Sequence, residues 1–443
     1  MSSRQLKSGY FILEGLNSFA TVYYAYYLYF FMQKEFGFDN KANLELAAFS
    51  GLVSMFGSWQ GGKFAQRFGY FRALKLGFTI MAGALAWGSQ LNSATGQVLA
   101  MAGMVIGMCF TWPTLEALVS EGESPVRLPR MIGIYNMVWA GTGAVAYFSG
   151  GAMLDKLGLR SMFYIPVAIF LSQLVFTLWL ESRARLSARC SSDQVSSLSP
   201  RGTSEEKTSR TEPLSDGEKT DPSPLPKGRG RCVAEGPPSS PVLPPESNPR
   251  PIAKAKAFLR MAWLANPFAY IAINTLIAVI PGVATRLGLS ATLAGFYCSI
   301  WCFARVGAFL ALWYWDGWHY RFSWLLVAYL AIAGTFAVLL LAPNLMVLVA
   351  AQVVFGLGLG LIYYSSLFYS MDVGETKGEH GGIHEAAIGL GNFAGPAVGA
   401  ASLHFLPQYA NSGALAVSGL LLLGLGGLVA IWRLSFPRSL ARS

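Results

Sequence analysis

Apolar runs recur along the chain at lengths that fit a bilayer. They cover 9–32, 44–64, 72–92, 96–119, 131–154 and 160–181, and then 258–283, 290–314, 322–342, 345–370, 380–404 and 412–434. At about 1.5 Å of helical rise per residue, each can cross roughly 30 Å of hydrocarbon. The pattern predicts an all-α polytopic membrane protein with twelve transmembrane helices. Arg4 and Lys7 precede the first run, which is longer than a signal-peptide core and lacks an early cleavage site of small residues, so it reads as a transmembrane helix that is retained.

Between the two sets of six runs the chain changes character. Residues 183–256 hold 12 of the 22 prolines, with 13 basic and 9 acidic residues and few aromatics. Such a segment cannot bury a core and is expected to be a disordered cytoplasmic linker. The division is therefore 1–182 for an N-terminal six-helix bundle, 183–256 for the linker and 257–443 for a C-terminal six-helix bundle. An offset of 249 residues relates the halves: Asn17 and Phe19 meet Asn266 and Phe268, Gly107 meets Gly356, and Tyr135-Asn136 meets His384-Glu385. One register serving the first, fourth and fifth runs of each half points to a duplication, a known plan among transporters.

Composition agrees with this picture. The 443 residues are 53% hydrophobic and 13% charged, with a mean hydropathy of +0.43, too apolar for an ordinary soluble domain. The net charge of +10 could suggest nucleic acid, but its placement argues otherwise. With both termini inside, 14 Lys/Arg fall in short cytoplasmic segments, 13 in the linker, 5 in external loops and one, Arg305, in the membrane. The first and third figures are the positive-inside bias of an integral plasma (inner) membrane protein with cytoplasmic termini. Cys109, Cys298 and Cys302 lie in spans, and Cys298 with Cys302 at i, i+4 has no His or carboxylate beside it, so these thiols read as packing and neither metal nor cofactor is expected.

The loop after the second run reads Gly62-Lys63-Phe64-Ala65-Gln66-Arg67-Phe68-Gly69-Tyr70-Phe71-Arg72. It resembles the signature G-x-x-x-D-R-x-G, followed by basic residues, of the major facilitator superfamily, with Gly62, Arg67, Gly69 and Arg72 matching and Gln66 in place of the aspartate. Gly150-Gly151 with Asp155-Lys156-Leu157-Gly158-Leu159-Arg160 is similar to the family's junction between the fifth and sixth helices. The resemblance implies two pseudo-symmetric six-helix bundles and a cytoplasmic gating loop formed by Gly62, Gln66, Arg67, Gly69 and Arg72. It also implies a central cavity lined by the first, fourth, seventh and tenth helices and flanked by the second, fifth, eighth and eleventh.

Projected onto this chain, those helices offer Glu14, Asn17, Tyr24, Trp112, Glu116, Asn274, Tyr363 and Tyr364, and the flanking ones offer Tyr135, Asn136, Arg305, His384, Glu385 and Asn392 as substrate- or proton-binding residues. Ionisable groups in hydrocarbon are costly and normally face a wet cavity or a partner. Glu385 is the first candidate for a proton-binding carboxylate and Glu14 the second. Arg305 needs an anion nearby, which Glu385 or a substrate could supply. Glu116, one turn from the end of its run, reads first as a solvated helix end and second as a site residue, and Trp112-Pro113 reads as a kink. His384-Glu385 is not part of an H-E-x-x-H zinc motif, and no nucleophile–base pair or phosphate loop is present.

The expected function is secondary transport of a small polar solute, such as a sugar, nucleoside or metabolite, by a monomer using alternating access and possible proton coupling. Gly395-Pro396 resembles the family's antiporter motif but falls outside the fifth helix, where Tyr147-Phe148 stands, and the fourth run lacks an arginine. Efflux of amphipathic compounds is the alternative within the fold, and a non-transporting receptor or scaffold working through the linker is the alternative outside it.

Overall fold

Long helices joined by short connections account for nearly all of the described residues, which in this computed structural model are 3–123, 127–198, 252–373 and 377–436. In order they are α1 (Ser3–Phe36), α2 (Asn40–Phe68), α3 (Tyr70–Gly88), α4 (Ala94–Ser120), α5 (Leu128–Leu157), α6 (Ser161–Leu198), α7 (Ile252–Arg286), α8 (Ala291–Cys298), α9 (Ile300–Tyr314), α10 (Phe322–Leu341), α11 (Leu345–Val373), α12 (Lys377–Phe405) and α13 (Ser412–Ser435). No strand occurs among the described residues. Side chains stop the turns at the entrances: Asp39 accepts the Ala42 N–H at 2.8 Å, Ser93 the Gly96 N–H at 3.1 Å and Ser290 the Leu293 N–H at 3.3 Å.

Eight stretches among the described residues are long and apolar enough to cross a membrane: α4, α6 as far as Arg185, α7, α8 with α9, α10, α11, α12 from His384, and α13. The other four predicted runs, in α1, α2, α3 and α5, are helical too. In α1 and α5 the polar content that lowers the average is turned inward, since Glu14, Asn17 and Asn136 are all buried.

Two expectations need correction. First, the linker boundaries are too wide, because α6 continues to Leu198 and α7 begins at Ile252. The Arg-, Ala- and Leu-containing stretch after Glu181 and the Ala-Lys repeat before Phe258 favour helix despite their charge. The rest of the expected linker, residues 199–251, lies outside the described residues. Second, the run 290–314 is two helices, interrupted at Ser299. Gln352 of α11 makes the interruption tolerable, donating to the Tyr297 carbonyl at 2.8 Å and accepting from the Trp301 N–H at 3.4 Å. Irregular backbone at membrane depth survives where protein groups satisfy it. Helix α4 carries Pro113 in its interior, the position where a kink is expected, without an interruption of the helix. The Cys109 carbonyl, which Pro113 cannot satisfy, lies against Gly61.

Helices from the two parts of the chain pack directly on one another. The most extensive contact is between α2 and α12, and α5 lies against α8 and α9 as well as α1. Small residues permit this: a Cβ on Gly51 would stand 2.7 Å from the Asn392 carbonyl oxygen, and one on Gly389 would stand 2.6 Å from the Met55 Cα. Without a hydrophobic driving force in lipid, such backbone-level contact is a main source of helix association. The glycines of α12 serve a second neighbour, with Gly395 against the Ile271 carbonyl of α7.

Candidate functional site

The inward faces of eight helices enclose a cavity of about 150 Å³. From α1 come Glu14, Thr21, Tyr24, Tyr26 and Tyr29, and from α2 Ser50 and Ser54. Helix α4 adds three methionines with Trp112 and Glu116, and α5 adds Tyr135 and Trp139. The later half contributes Tyr270 and Asn274 of α7, Cys302 and Arg305 of α9, Tyr363 of α11, and Glu385 and Asn392 of α12. Helices α3, α6, α10 and α13 supply none of the lining.

Ten of the fourteen candidate side chains lie on this wall: Glu14, Tyr24, Trp112, Glu116, Tyr135, Asn274, Arg305, Tyr363, Glu385 and Asn392. Glu116, half-buried near the end of α4, faces this cavity. Glu14 is 1% exposed, and its Oε2 has no hydrogen-bond partner. Asn274 donates to Asn392, linking α7 to α12 across the wall.

Of the remaining four, Asn17, Asn136 and His384 are buried and Tyr364 is half-buried, and none of them lines the cavity. Asn136 accepts from the Trp139 indole N–H at 3.0 Å and so orients that ring. His384 packs edge-on against Tyr363 at 5.7 Å, and Tyr364 packs against Phe309 and Trp318. Asn17 is sealed with neither amide atom hydrogen-bonded, as is Asn266, its counterpart at the 249-residue offset.

The expectation that Arg305 would pair with Glu385 is not met. Among the described residues Arg305 makes no ion pair. Its guanidinium lies over Trp139 at 4.6 Å and Trp301 at 5.0 Å, so ring faces rather than a carboxylate receive it. Sequence reasoning passed over Trp139, Tyr26 and Tyr270. The signal for Trp139 was its place one turn after Tyr135 on the same helix face.

In the predicted gating loop, Gly69 ends α2 with φ +96° and donates to the Ala65 carbonyl at 2.9 Å. Gln66, Arg67 and Arg72 are exposed and Gly62 is half-buried. Arg67 lies near the Phe68 ring at 5.3 Å, and neither arginine makes an ion pair among the described residues.

The model of the major facilitator superfamily matches residues 10–396. The chain belongs to that superfamily. As a major facilitator protein it is an integral membrane transporter rather than an enzyme, and its helical assembly is similar to solved transporters. A POT family transporter in complex with a thioalcohol-conjugated peptide gives a TM-score of 0.68 at 11% identity, covering 98% of this chain and 96% of that one. A peptide transporter POT in complex with sulfate gives 0.66 at 14%, covering 97% and 94%. The nucleoside transporter NupG gives 0.61 at 14%, covering 97% and 99%. At these identities the likeness is one of fold. Among curated proteins, no sequence matches this major facilitator chain.

Proposed function

We propose that this major facilitator protein is a secondary active transporter that moves a small polar solute by alternating access, with protons as the coupling ion. Twelve crossings form two six-helix bundles, one on either side of the central segment, related by the duplication at 249 residues and joined by a cytoplasmic linker. Both termini face the cytoplasm, as the lysines and arginines of the short loops require. A single chain carries the whole pathway. The loop of Gly62, Gln66, Arg67, Gly69 and Arg72 flexes at the cytoplasmic gate, with Gln66 supplying an amide where the family has a charge.

One observation carries the reading: helices of both halves wall a single cavity that holds three carboxyl groups, Glu14, Glu116 and Glu385, away from lipid. Rocking one bundle against the other would expose such a cavity to each side in turn. A carboxyl group there can take a proton on one side and release it on the other, and Glu385 stands on α12, which packs on both α2 and α7 and so moves relative to one of them in any rocking step. Glu14, buried on the same wall, is the second proton site. The nucleoside and peptide transporters of similar fold are in keeping with a polar solute of modest size.

A thermal-shift screen of the purified chain over sugars, nucleosides, short peptides and organic acids identifies the solute, and proteoliposomes then measure its uptake with and without a pH gradient. Glu385→Gln is expected to abolish gradient-driven accumulation while preserving solute exchange. Accumulation that is unchanged in this variant and in Glu14→Gln removes proton coupling at these carboxyls.

A further inference from the structure

Arg305 is the one basic residue on the cavity wall among the described residues. It is 6% exposed, and its Nε has no hydrogen-bond partner. Trp139 and Trp301 meet the guanidinium through their ring faces, at 4.6 and 5.0 Å. That contact engages the faces of the cation but none of its N–H donors, which point outward in the guanidinium plane. Glu14, Glu116 and Glu385 share the wall without forming an ion pair with it. A cation held away from water with its donors unspent is a liability that an anion removes.

The surroundings define what else such an anion carries. Tyr26 stacks on Trp301 at 6.4 Å and 22°, and Tyr363 meets Trp139 at 5.3 Å, so aromatic surface borders the guanidinium on both sides. The free volume of about 150 Å³ is comparable to that of an apolar cavity that takes up benzene.

We infer that the cavity binds a small ring-bearing organic anion, its carboxylate docked on the Arg305 guanidinium and its ring against the aromatic wall of Tyr26, Trp139 and Tyr363. Arginine suits this task because its planar fork matches a carboxylate in a two-point hydrogen bond. The assignment names the solute class for the transport reading above and rests on it for passage across the membrane, whereas binding itself is measured without transport.

The test uses the purified full-length protein in detergent with sodium benzoate, benzamide and benzylamine as probes of equal ring size. Benzoate is expected to raise the melting temperature progressively with concentration and to alter the emission of the tryptophans flanking Arg305; benzamide and benzylamine are expected to do neither. Arg305→Gln should weaken the benzoate response roughly tenfold or more, with Arg305→Lys retaining part of it. Equal stabilisation by benzamide, stabilisation by benzylamine in place of benzoate, no response to benzoate, or a full response in Arg305→Gln would each overturn the assignment. If Arg305→Gln does not fold, the contrast between acid, amide and amine on the unaltered chain decides. Benzoate binding without gradient-driven accumulation would remove coupling and leave the anion seat, and accumulation of a neutral solute without benzoate binding would do the reverse.

Discussion

Asp155, near the end of α5, accepts both the backbone N–H of Thr292 at 3.0 Å and its hydroxyl at 2.5 Å, and so caps the start of α8 from another helix. A carboxylate at a helix N-terminus satisfies a free N–H and complements the helix dipole. This contact joins the two halves at the face assigned above to the outside. Asp155→Ala is expected to lower stability by about 1 kcal/mol and to favour outward opening. The second effect is read as faster modification of Cys302, which is 1% exposed in this structure, by a small thiol reagent located by mass spectrometry. An unchanged labelling rate would deny Asp155 a role at the gate.

The same junction predicts a steric effect. A Cβ on Gly151 would overlap the Ala291 carbonyl and stand 3.0 Å from the Thr292 Cα, both of them backbone atoms that cannot rotate away. Gly151→Val should therefore cost about 1–3 kcal/mol through overpacking, more than the same change at Gly141, where nothing lies within 4 Å. Melting temperatures of the two variants in one detergent make the comparison.

Lys7 is positioned to hold the end of α4. Its Nζ donates to the carbonyls of Val119 at 3.2 Å and Glu121 at 3.0 Å and to the Glu123 carboxylate, with 13% of its side chain exposed. Lys7→Met should destabilise by about 1–3 kcal/mol, since it strips a charged donor from half-buried acceptors. Lys41→Met, which removes an i, i+4 pair with Glu45 in the open, should change stability by less than about 0.5 kcal/mol. Denaturant titration of both would expose an error if they proved equal.

Gln352 predicts the cost of the break between α8 and α9. Gln352→Leu keeps the apolar bulk but leaves the Tyr297 carbonyl and the Trp301 N–H unpaired at a site 1% exposed. The expected loss is about 1–3 kcal/mol, with faster amide exchange confined to residues around Ser299. Protection there equal to that of the unaltered chain would mean that water or a repaired helix replaces the glutamine.

Much of this was legible in the residues. Apolar runs of sufficient length announced the helices. Carboxylates and a guanidinium inside apolar runs announced an interior that is not uniformly oily. These signals are local: hydrocarbon imposes length and polarity on every segment separately, whatever its neighbours do.

Partners across the assembly were not legible. Nothing near Arg305 in the chain says that Trp139 of another helix would lie over it, or that Glu385 would stay apart from it. Nothing in the apolar run around Gln352 says that a broken backbone at Ser299 would come beside it, and nothing in the stretch around Asp155 names Thr292 as its partner. The sequence by itself determined which stretches are helical and which charges cannot face lipid, because those follow from the cost of moving each group out of water. Only the tertiary structure decided how those charges are answered, because rotation of a helix about its axis and the choice of neighbour depend on small-residue contacts made by all the other helices together.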